Sequence, residues 1–302
     1  MDIIELIKAI FYGIVEGITE WLPVSSTGHL ILFERFWNFN SSPEFIEMYR
    51  VVIQLGAIIS VLVLFFKNIW PFGLKANKQL GTSEKPLFLG ITAKIDIIML
   101  WLKIALACLP AVVYAFIFDD AVSAFLATHI GTTGIPYEFL VVVLMLVIVG
   151  ILFIIIENAN KNRMFKTESV LDITFRDAFL IGMFQLVAAV LPGTSRSGAT
   201  ILGALLLGVT RAAAAEFTFY LAIPVMFGAS LFKGYKFFET GATVSSTEWA
   251  VLVVGLVVAF LVSIVAIRFL MGFVKKHNFK VFGWYRIALG LLLLVYFAFN
   301  IV

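Results

Sequence analysis

The chain has little cysteine, little charge and no features of a removable leader. Its 302 residues include one cysteine, Cys108, which excludes an intramolecular disulfide and a thiol-rich metal site. Charged residues make up only 14%, and the net charge of +3 is spread over loops, so we expect no nucleic-acid surface. The first residues include Asp2 and Glu5 rather than a basic segment, so we expect no cleaved signal peptide.

Apolar residues dominate instead. The chain is 62% hydrophobic, with a mean hydropathy of +1.04, which is typical of a polytopic helical membrane protein. We predict an all-α membrane fold with about six transmembrane helices, because six apolar runs approach the roughly 20 residues that cross a bilayer. These runs are Tyr49–Phe66, Ile95–Phe118, Phe139–Ile156, Ala213–Phe232, Trp249–Met271 and Trp284–Ile301.

The basic residues between the runs predict an orientation. Lysines and arginines collect in three connections and are absent from the acidic stretch 119–136. By the positive-inside rule the basic connections are cytoplasmic, which leaves the acidic stretch and both termini outside. The basic residues concerned are Lys67, Lys75, Lys78, Lys85, Lys161, Arg163, Lys166, Lys275, Lys276 and Lys280.

Two further hydrophobic segments, Ile3–Arg35 and Phe179–Leu207, are each interrupted by a Leu-Pro and a polar run. A simple crossing would expose the polar middle to lipid, at a high desolvation cost. We therefore predict two re-entrant helical hairpins, each entering and leaving by the same face. The alternative makes Ile3–Leu22 a plain span.

Three predicted spans separate the two interrupted segments, so the segments enter from opposite faces. This arrangement is an inverted-topology repeat, with the polar turns meeting near the membrane midplane. We place the repeats at approximately 1–118 and 139–302, within a single integral membrane domain that covers residues 1–302.

The first polar turn contains two glutamates, Glu16 and Glu20, four residues apart. On a helix this spacing puts both carboxylates on one face, where they need a cation, an arginine or a shared proton. A divalent cation such as Mg²⁺ or Ca²⁺ suits hard oxygen ligands, with substrate phosphate completing the shell. The alternative is a pair of helix-end glutamates that reach water.

After Pro23, the hydroxyls of Ser25, Ser26 and Thr27 indicate a helix start, which is a ready site for an anion. Ser26 and His29 are three residues apart, so the imidazole could take a proton from the hydroxyl or hold a phosphoryl oxygen. The alternatives are capping alone for the serines and a structural hydrogen bond for the histidine.

The second polar turn supplies a cation, Arg196. Its planar guanidinium can donate two parallel hydrogen bonds to a phosphate group. The alternative role, as a partner for Glu16 or Glu20, is compatible with this one. The polar neighbours Thr194, Ser195, Ser197 and Thr200 are candidate substrate contacts, and Gln185 occupies the place of Glu16 in the repeat.

A carboxylate pair, a helix start, a Ser–His pair and an arginine suit hydrolysis of a phosphate or diphosphate ester carried on a lipid. A transporter of a lipid phosphate with the same midplane cavity is the main alternative. A phosphatidic-acid-phosphatase type of enzyme is disfavoured, because the position of that family's nucleophilic histidine is Leu202 here.

At these residues the chain resembles the undecaprenyl-diphosphatase family of bacteria, also called the bacitracin-resistance protein family. The matching motifs are EGITEWLPVSSTGHL at 16–30 and PGTSRSGAT at 192–200, supported by VVIQLGAI at 51–58 and AAEFTFYLAIP at 214–224. The resemblance extends over essentially the whole chain, and the two motifs together are highly specific.

The resemblance implies a hydrolase of the bacterial cytoplasmic (inner) membrane that removes the terminal phosphate of undecaprenyl diphosphate. The expected role is recycling of the lipid carrier for cell-wall synthesis, with resistance to bacitracin. The family also implies dependence on a divalent cation and a site that opens to the outer, periplasmic side; a homodimer is possible.

The resemblance implies a role for each matching residue. Glu16 and Glu20 would serve as metal and acid–base groups, and Arg196 would hold the diphosphate. Ser26 would be the nucleophile, with His29 assisting, although attack by His29 or by water stays open. The supporting polar groups would be Ser25, Thr27, Ser195 and Thr200.

Overall fold

The computed structural model of the chain describes residues 3–74, 84–86, 91–118, 121–122, 124–125, 128, 137–239, 241 and 243–300. Ten long helices account for most of them. They are α1 (Ile3–Thr19), α2 (Ser26–Phe36), α3 (Pro43–Ile69), α4 (Ile95–Val113), α5 (Tyr137–Ala159), α6 (Phe175–Val190), α7 (Arg196–Leu207), α8 (Arg211–Glu239), α9 (Ser246–Val274) and α10 (Lys280–Asn300). A π-helical turn, Tyr114–Phe118, extends α4, and a 3₁₀ turn, Val170–Asp172, precedes α6.

Five of the six predicted spans are helices long and apolar enough to cross a membrane. Within the described residues these are Pro43–Ile69, Ile95–Phe118, Phe139–Ala159, Arg211–Phe237 and Ser246–Val274. The sixth predicted span forms the 21-residue helix α10, which carries Lys280 and Arg286 and is not among the five. The chain is therefore a multi-pass membrane protein.

A small antiparallel sheet is an exception to the all-α prediction. Strands β1 (Phe72–Leu74), β2 (Glu84–Pro86) and β3 (Ile91–Lys94) pair in the order β1-β3-β2 between α3 and α4. Two of the lysines used to predict orientation, Lys75 and Lys78, lie outside the described residues, as does most of the acidic stretch 119–136.

Glycines allow α1 and α9 to pack closely. A Cβ atom at Gly13 would lie 2.9 Å from the Gly255 carbonyl oxygen, and one at Gly17 would lie 2.9 Å from the Ala259 carbonyl oxygen. Contact positions therefore advance by four residues on both helices, so α1 and α9 run parallel. Without side chains at these two positions, the backbones approach as closely as membrane helices typically do.

The halves of the chain interlock. Helix α1 packs against α9 and helix α6 packs against α4, so each broken segment rests on a helix of the other half. Helices α5 and α10 pair through Gly150 and Gly283, where a Cβ on either would lie within 3 Å of the other's carbonyl oxygen. This exchange brings the two polar turns to the centre of the molecule.

Candidate active site

The first turn follows α1 and leads into α2. Ser25 adopts a positive φ of 75°, and its hydroxyl accepts the Gly28 N–H at 3.3 Å, which caps α2. The predicted helix start near Ser25 is therefore confirmed. Capping by a serine satisfies an N–H group that would otherwise be unpaired inside the protein.

The second turn follows α6 and leads into α7. Gly193 has a φ of 88°, and a Cβ there would lie 2.5 Å from Val142 Cα, so only glycine fits. Ser195 repeats the geometry of the first turn, with a φ of 70° and a hydroxyl that accepts the Gly198 N–H at 3.1 Å.

Glu20 joins the two turns. One of its carboxylate oxygens accepts from the Ser26 hydroxyl at 2.6 Å, and the other accepts from the Arg196 guanidinium at 3.1 Å. The Ser197 hydroxyl donates to the Glu20 carbonyl oxygen at 3.2 Å. The predicted pairing of Arg196 with a glutamate of the first turn is confirmed for Glu20.

A cavity of about 160 Å³ lies between the turns. Six predicted site residues line it: Glu20, Ser26, Thr27, Ser195, Arg196 and Ser197. Gln54 of α3 and Met226 of α8 also line it; Gln54 belongs to the supporting motif at 51–58, but neither residue was predicted as a site residue. A hydroxyl, a carboxylate and a guanidinium thus face one small space, a combination that can bind and activate a phosphoryl group.

The other six predicted residues do not line this cavity. They are Glu16, Ser25, His29, Gln185, Thr194 and Thr200, and all are buried. Thr194 donates to the Leu191 carbonyl and Thr200 bonds to Thr218, so both hydroxyls support the second turn. Gln185, like Glu16, is buried with no hydrogen-bond partner among the described residues.

The side chains of Ser26 and His29, considered as a pair in the sequence analysis, have different hydrogen-bond partners in the structure. His29 Nδ1 lies 2.7 Å from the Ser25 carbonyl oxygen, and Nε2 lies 2.6 Å from the Tyr285 hydroxyl. Because a carbonyl only accepts, Nδ1 carries the proton and Nε2 accepts from Tyr285. The Ser26 hydroxyl donates to Glu20 instead, since the start of α2 points the two side chains to different neighbours.

Arg286 is a central residue that the sequence analysis missed. It is fully buried on α10, and its guanidinium donates to carbonyl oxygens of both turns: Pro23 at 3.2 Å, Gly193 at 2.8 Å and Thr194 at 3.1 Å. An arginine within an apolar run is itself a signal of function or of a structural polar network.

Glu16 and Glu20 could supply some, but not all, of the ligands of a divalent cation. Glu16 is fully buried, and neither carboxylate oxygen has a hydrogen-bond partner among the described residues. The Glu20 N–H donates to the Glu16 carbonyl at 3.0 Å, so the two side chains are one helical turn apart. Since the described chain has no cluster of three or more His, Cys, Asp or Glu side chains, further ligands would come from substrate or water.

The fold and the cavity define a polytopic membrane protein with a buried polar centre. Comparison with known proteins identifies its family: residues 9–292 match the model of the bacitracin resistance protein BacA. The chain belongs to this family.

Curated relatives cover nearly the whole chain. An undecaprenyl-diphosphatase of Lachnoclostridium phytofermentans is 52% identical over 98% of both chains. Undecaprenyl-diphosphatases of Desulfitobacterium hafniense and Enterococcus faecalis are each 50% identical; they cover 99% and 98% of this chain and 98% of their own lengths.

Proposed function

We propose that this chain is an undecaprenyl-diphosphatase, which hydrolyses undecaprenyl diphosphate to undecaprenyl phosphate and inorganic phosphate and so recycles the lipid carrier for cell-wall synthesis. One observation carries the proposal: Ser26, Glu20 and Arg196, drawn from both turns, face one cavity, and Glu20 is within hydrogen-bond distance of both Ser26 and Arg196. The names of relatives about 50% identical over the full length agree with it. In the described part of the chain, nothing favours transport of an unbroken lipid.

The geometry supports Ser26 as the nucleophile. Its Oγ would attack the terminal phosphorus while its proton passes to the Glu20 carboxylate, which already accepts that hydrogen bond. Undecaprenyl phosphate leaves with the electrons of the broken P–O bond. Water then attacks the phosphoserine, inorganic phosphate leaves, and the serine oxygen regains a proton.

Arg196 would hold the phosphoryl oxygens. Its guanidinium donates to Glu20 and to the Thr218 carbonyl at 3.1 Å, and in the described structure this leaves further N–H donors for a ligand. A fixed cation beside the transferred group stabilises the charge of the transition state. Thr27, Ser195 and Ser197 add hydroxyls around the same cavity.

His29 and Ser25 would act as supports rather than in proton transfer. The Nδ1–H of His29 donates to the Ser25 carbonyl, and this contact secures the residue that caps α2. The role we propose for His29 is thus the structural hydrogen bond that the sequence left open.

Release of phosphate from undecaprenyl diphosphate by the purified protein tests the function. We expect Ser26→Ala to reduce release to background, because among the described residues no other hydroxyl donates to the Glu20 carboxylate. Ser60→Ala is a matched control, since Ser60 is a buried serine of α3 that donates to the Ala57 carbonyl. Full activity of Ser26→Ala would contradict the nucleophile assignment, and no release by the folded wild type would contradict the function.

We also propose that Glu16 and Glu20 hold a divalent cation, Mg²⁺ or Ca²⁺, which when bound would neutralise diphosphate charge. Two carboxylates beside one guanidinium leave a net negative charge, which suits a cation. We expect a chelator to lower phosphate release. In titration calorimetry, Glu16→Gln with Glu20→Gln should lose the binding of Mg²⁺ or Ca²⁺ that the wild type shows; unchanged binding would contradict the site.

We propose in addition that the two interrupted segments, Ile3–Arg35 and Phe179–Leu207, are re-entrant and enter from opposite faces as an inverted repeat. Helices α2 and α7 have 11 and 12 residues, which gives about 18 Å at most, less than a hydrocarbon core of about 30 Å. The exchange of partners between the halves, α1 on α9 and α6 on α4, supports the repeat.

The site would then open to the outer face of the bacterial cytoplasmic membrane. A cysteine at position 121, in a Cys108→Ala background, tests this orientation with a membrane-impermeant thiol reagent. We expect labelling in intact cells. Labelling only after the membrane is permeabilised would place position 121 in the cytoplasm and contradict the proposed orientation.

A further inference from the structure

An apolar groove of about 520 Å³ lies on the outside of the helix bundle, beside the first turn. Its walls come from two places in the chain. Ile18 and Leu22 contribute from the end of the first broken segment, and Leu261, Val262, Val265 and Phe269 contribute from α9. The groove exposes almost no polar surface, so it suits a hydrocarbon ligand.

The groove lies beside the end of α1. The two helices run parallel, and near the end of α1 the Ser263 hydroxyl of α9 donates to the Gly17 carbonyl at 3.4 Å. Helix α1 stops at Thr19, whereas α9 continues to Val274. The further 11 residues of α9 extend about 16 Å beyond that contact, and Val265, Ala266 and Phe269 of the groove lie among them.

The first turn contributes residues to both this groove and the polar cavity. Leu22 lines the groove, and Glu20, two residues earlier, lines the cavity. Two residues of chain span about 7 Å at most. The Leu22 carbonyl also accepts from Ser197 of the second turn at 3.4 Å, so the residue that forms the apolar wall is fixed to the polar centre.

We propose that this groove binds the polyprenyl chain of the lipid diphosphate whose head group occupies the cavity. This inference rests on the proposed function and extends it to the hydrocarbon part of the substrate. Lipid tails are as apolar as the groove, so burial alone gives no preference over the bilayer. The preference comes from tethering: a head group held beside Glu20 keeps its first isoprene units at high effective concentration near Leu22.

Narrowing the groove from its exposed rim tests the proposal with little disturbance of packing. Val265 is 67% exposed and lines the groove, whereas Val253 on the same helix is 57% exposed and does not. We expect Val265→Trp to raise KM for undecaprenyl diphosphate roughly tenfold, the order of one misfit in an apolar site, and to leave kcat close to normal. Val253→Trp is the matched control and should change neither.

A second substrate separates chain binding from head-group binding. Dimethylallyl diphosphate has a single isoprene unit, so Val265→Trp should leave its KM unchanged. An equal rise for both substrates, or an equal effect of the two tryptophans, would overturn the proposal.

Photolabelling gives a readout that does not need turnover. An undecaprenyl diphosphate analogue with a diazirine near the diphosphate end should label residues 261–269, and Val265→Trp or excess undecaprenyl diphosphate should suppress that label. Equal labelling around Val253, unaffected by the competitor, would mean ordinary contact with lipid and would overturn the proposal. Labelling at 261–269 without any phosphate release would retain the groove and reject the hydrolase.

Discussion

The turn after α1 and the turn after α6 share the same helix cap and carry different chemistry. Ser25 and Ser195 both adopt a positive φ, 75° and 70°, and each hydroxyl caps the following helix by accepting the N–H of a glycine three residues on. The residue that opens the helix differs. It is Ser26 in the first turn and Arg196 in the second.

The surrounding residues continue this division. Glu20 has no acidic counterpart in the second half, since the position four residues after Gln185 is Ala189. The first turn therefore carries the hydroxyl and the carboxylate, and the second carries the cation. A repeated backbone can place two helix starts face to face, but a phosphoryl group held between a nucleophile and a cation requires the two copies to differ.

Among changes to the second turn, removing the cation should have the largest effect. We expect Arg196→Ala to lower turnover of undecaprenyl diphosphate about ten-thousandfold, the order known for an arginine that stabilises phosphoryl transfer. Arg196→Lys keeps the positive charge but cannot donate two parallel hydrogen bonds to phosphate, so its turnover should be only slightly higher than that of Arg196→Ala. Steady-state phosphate release measures both. Near-normal activity of the alanine variant would remove Arg196 from the centre.

The sequence predicted which polar residues lie in the two turns better than it predicted the contacts between them. The hydroxyls after Pro23 identified the first helix start, and the alternative role considered for Arg196, as a partner for Glu16 or Glu20, anticipated its contact with Glu20. Spacing alone could not decide the partner of His29. The Tyr285 hydroxyl that meets it belongs to a helix 256 positions away, and nothing local encodes which helices meet.

Two other features escaped the sequence analysis for different reasons. Arg286 was visible as a charge within the last apolar run, but the run was considered only for its length. The strands between Phe72 and Lys94 lie in a connection that was considered only for its lysines. Strand pairing in such a short segment depends on contacts between its ends, which a propensity scale does not contain.

Arg286 connects the two turns, so its loss should weaken both. Arg286→Met would leave the carbonyls of Pro23, Gly193 and Thr194 without this donor, and each bond to a charged group contributes about 2 kcal/mol. We expect a clear drop in the melting temperature in detergent, together with lower turnover. Arg268→Met is the matched control, because Arg268 is exposed on α9. Equal melting temperatures for the two variants would contradict a structural role for Arg286.

The smallest predicted effect separates backbone from chemistry at the two capping serines. Glycine adopts a positive φ without strain, and replacing a serine cap by glycine costs only a few tenths of a kcal/mol. We therefore expect Ser25→Gly and Ser195→Gly to change the melting temperature equally little.

Turnover should distinguish the same two variants, because Ser195 lines the cavity and Ser25 does not. Ser195→Gly should slow phosphate release about tenfold, the order expected for loss of one or two neutral hydrogen bonds to the substrate, and Ser25→Gly should leave it near normal. An equal loss of turnover in both variants would mean that the first cap also contacts the substrate, and the division of labour between the turns would then lie in Ser26 and Arg196 alone.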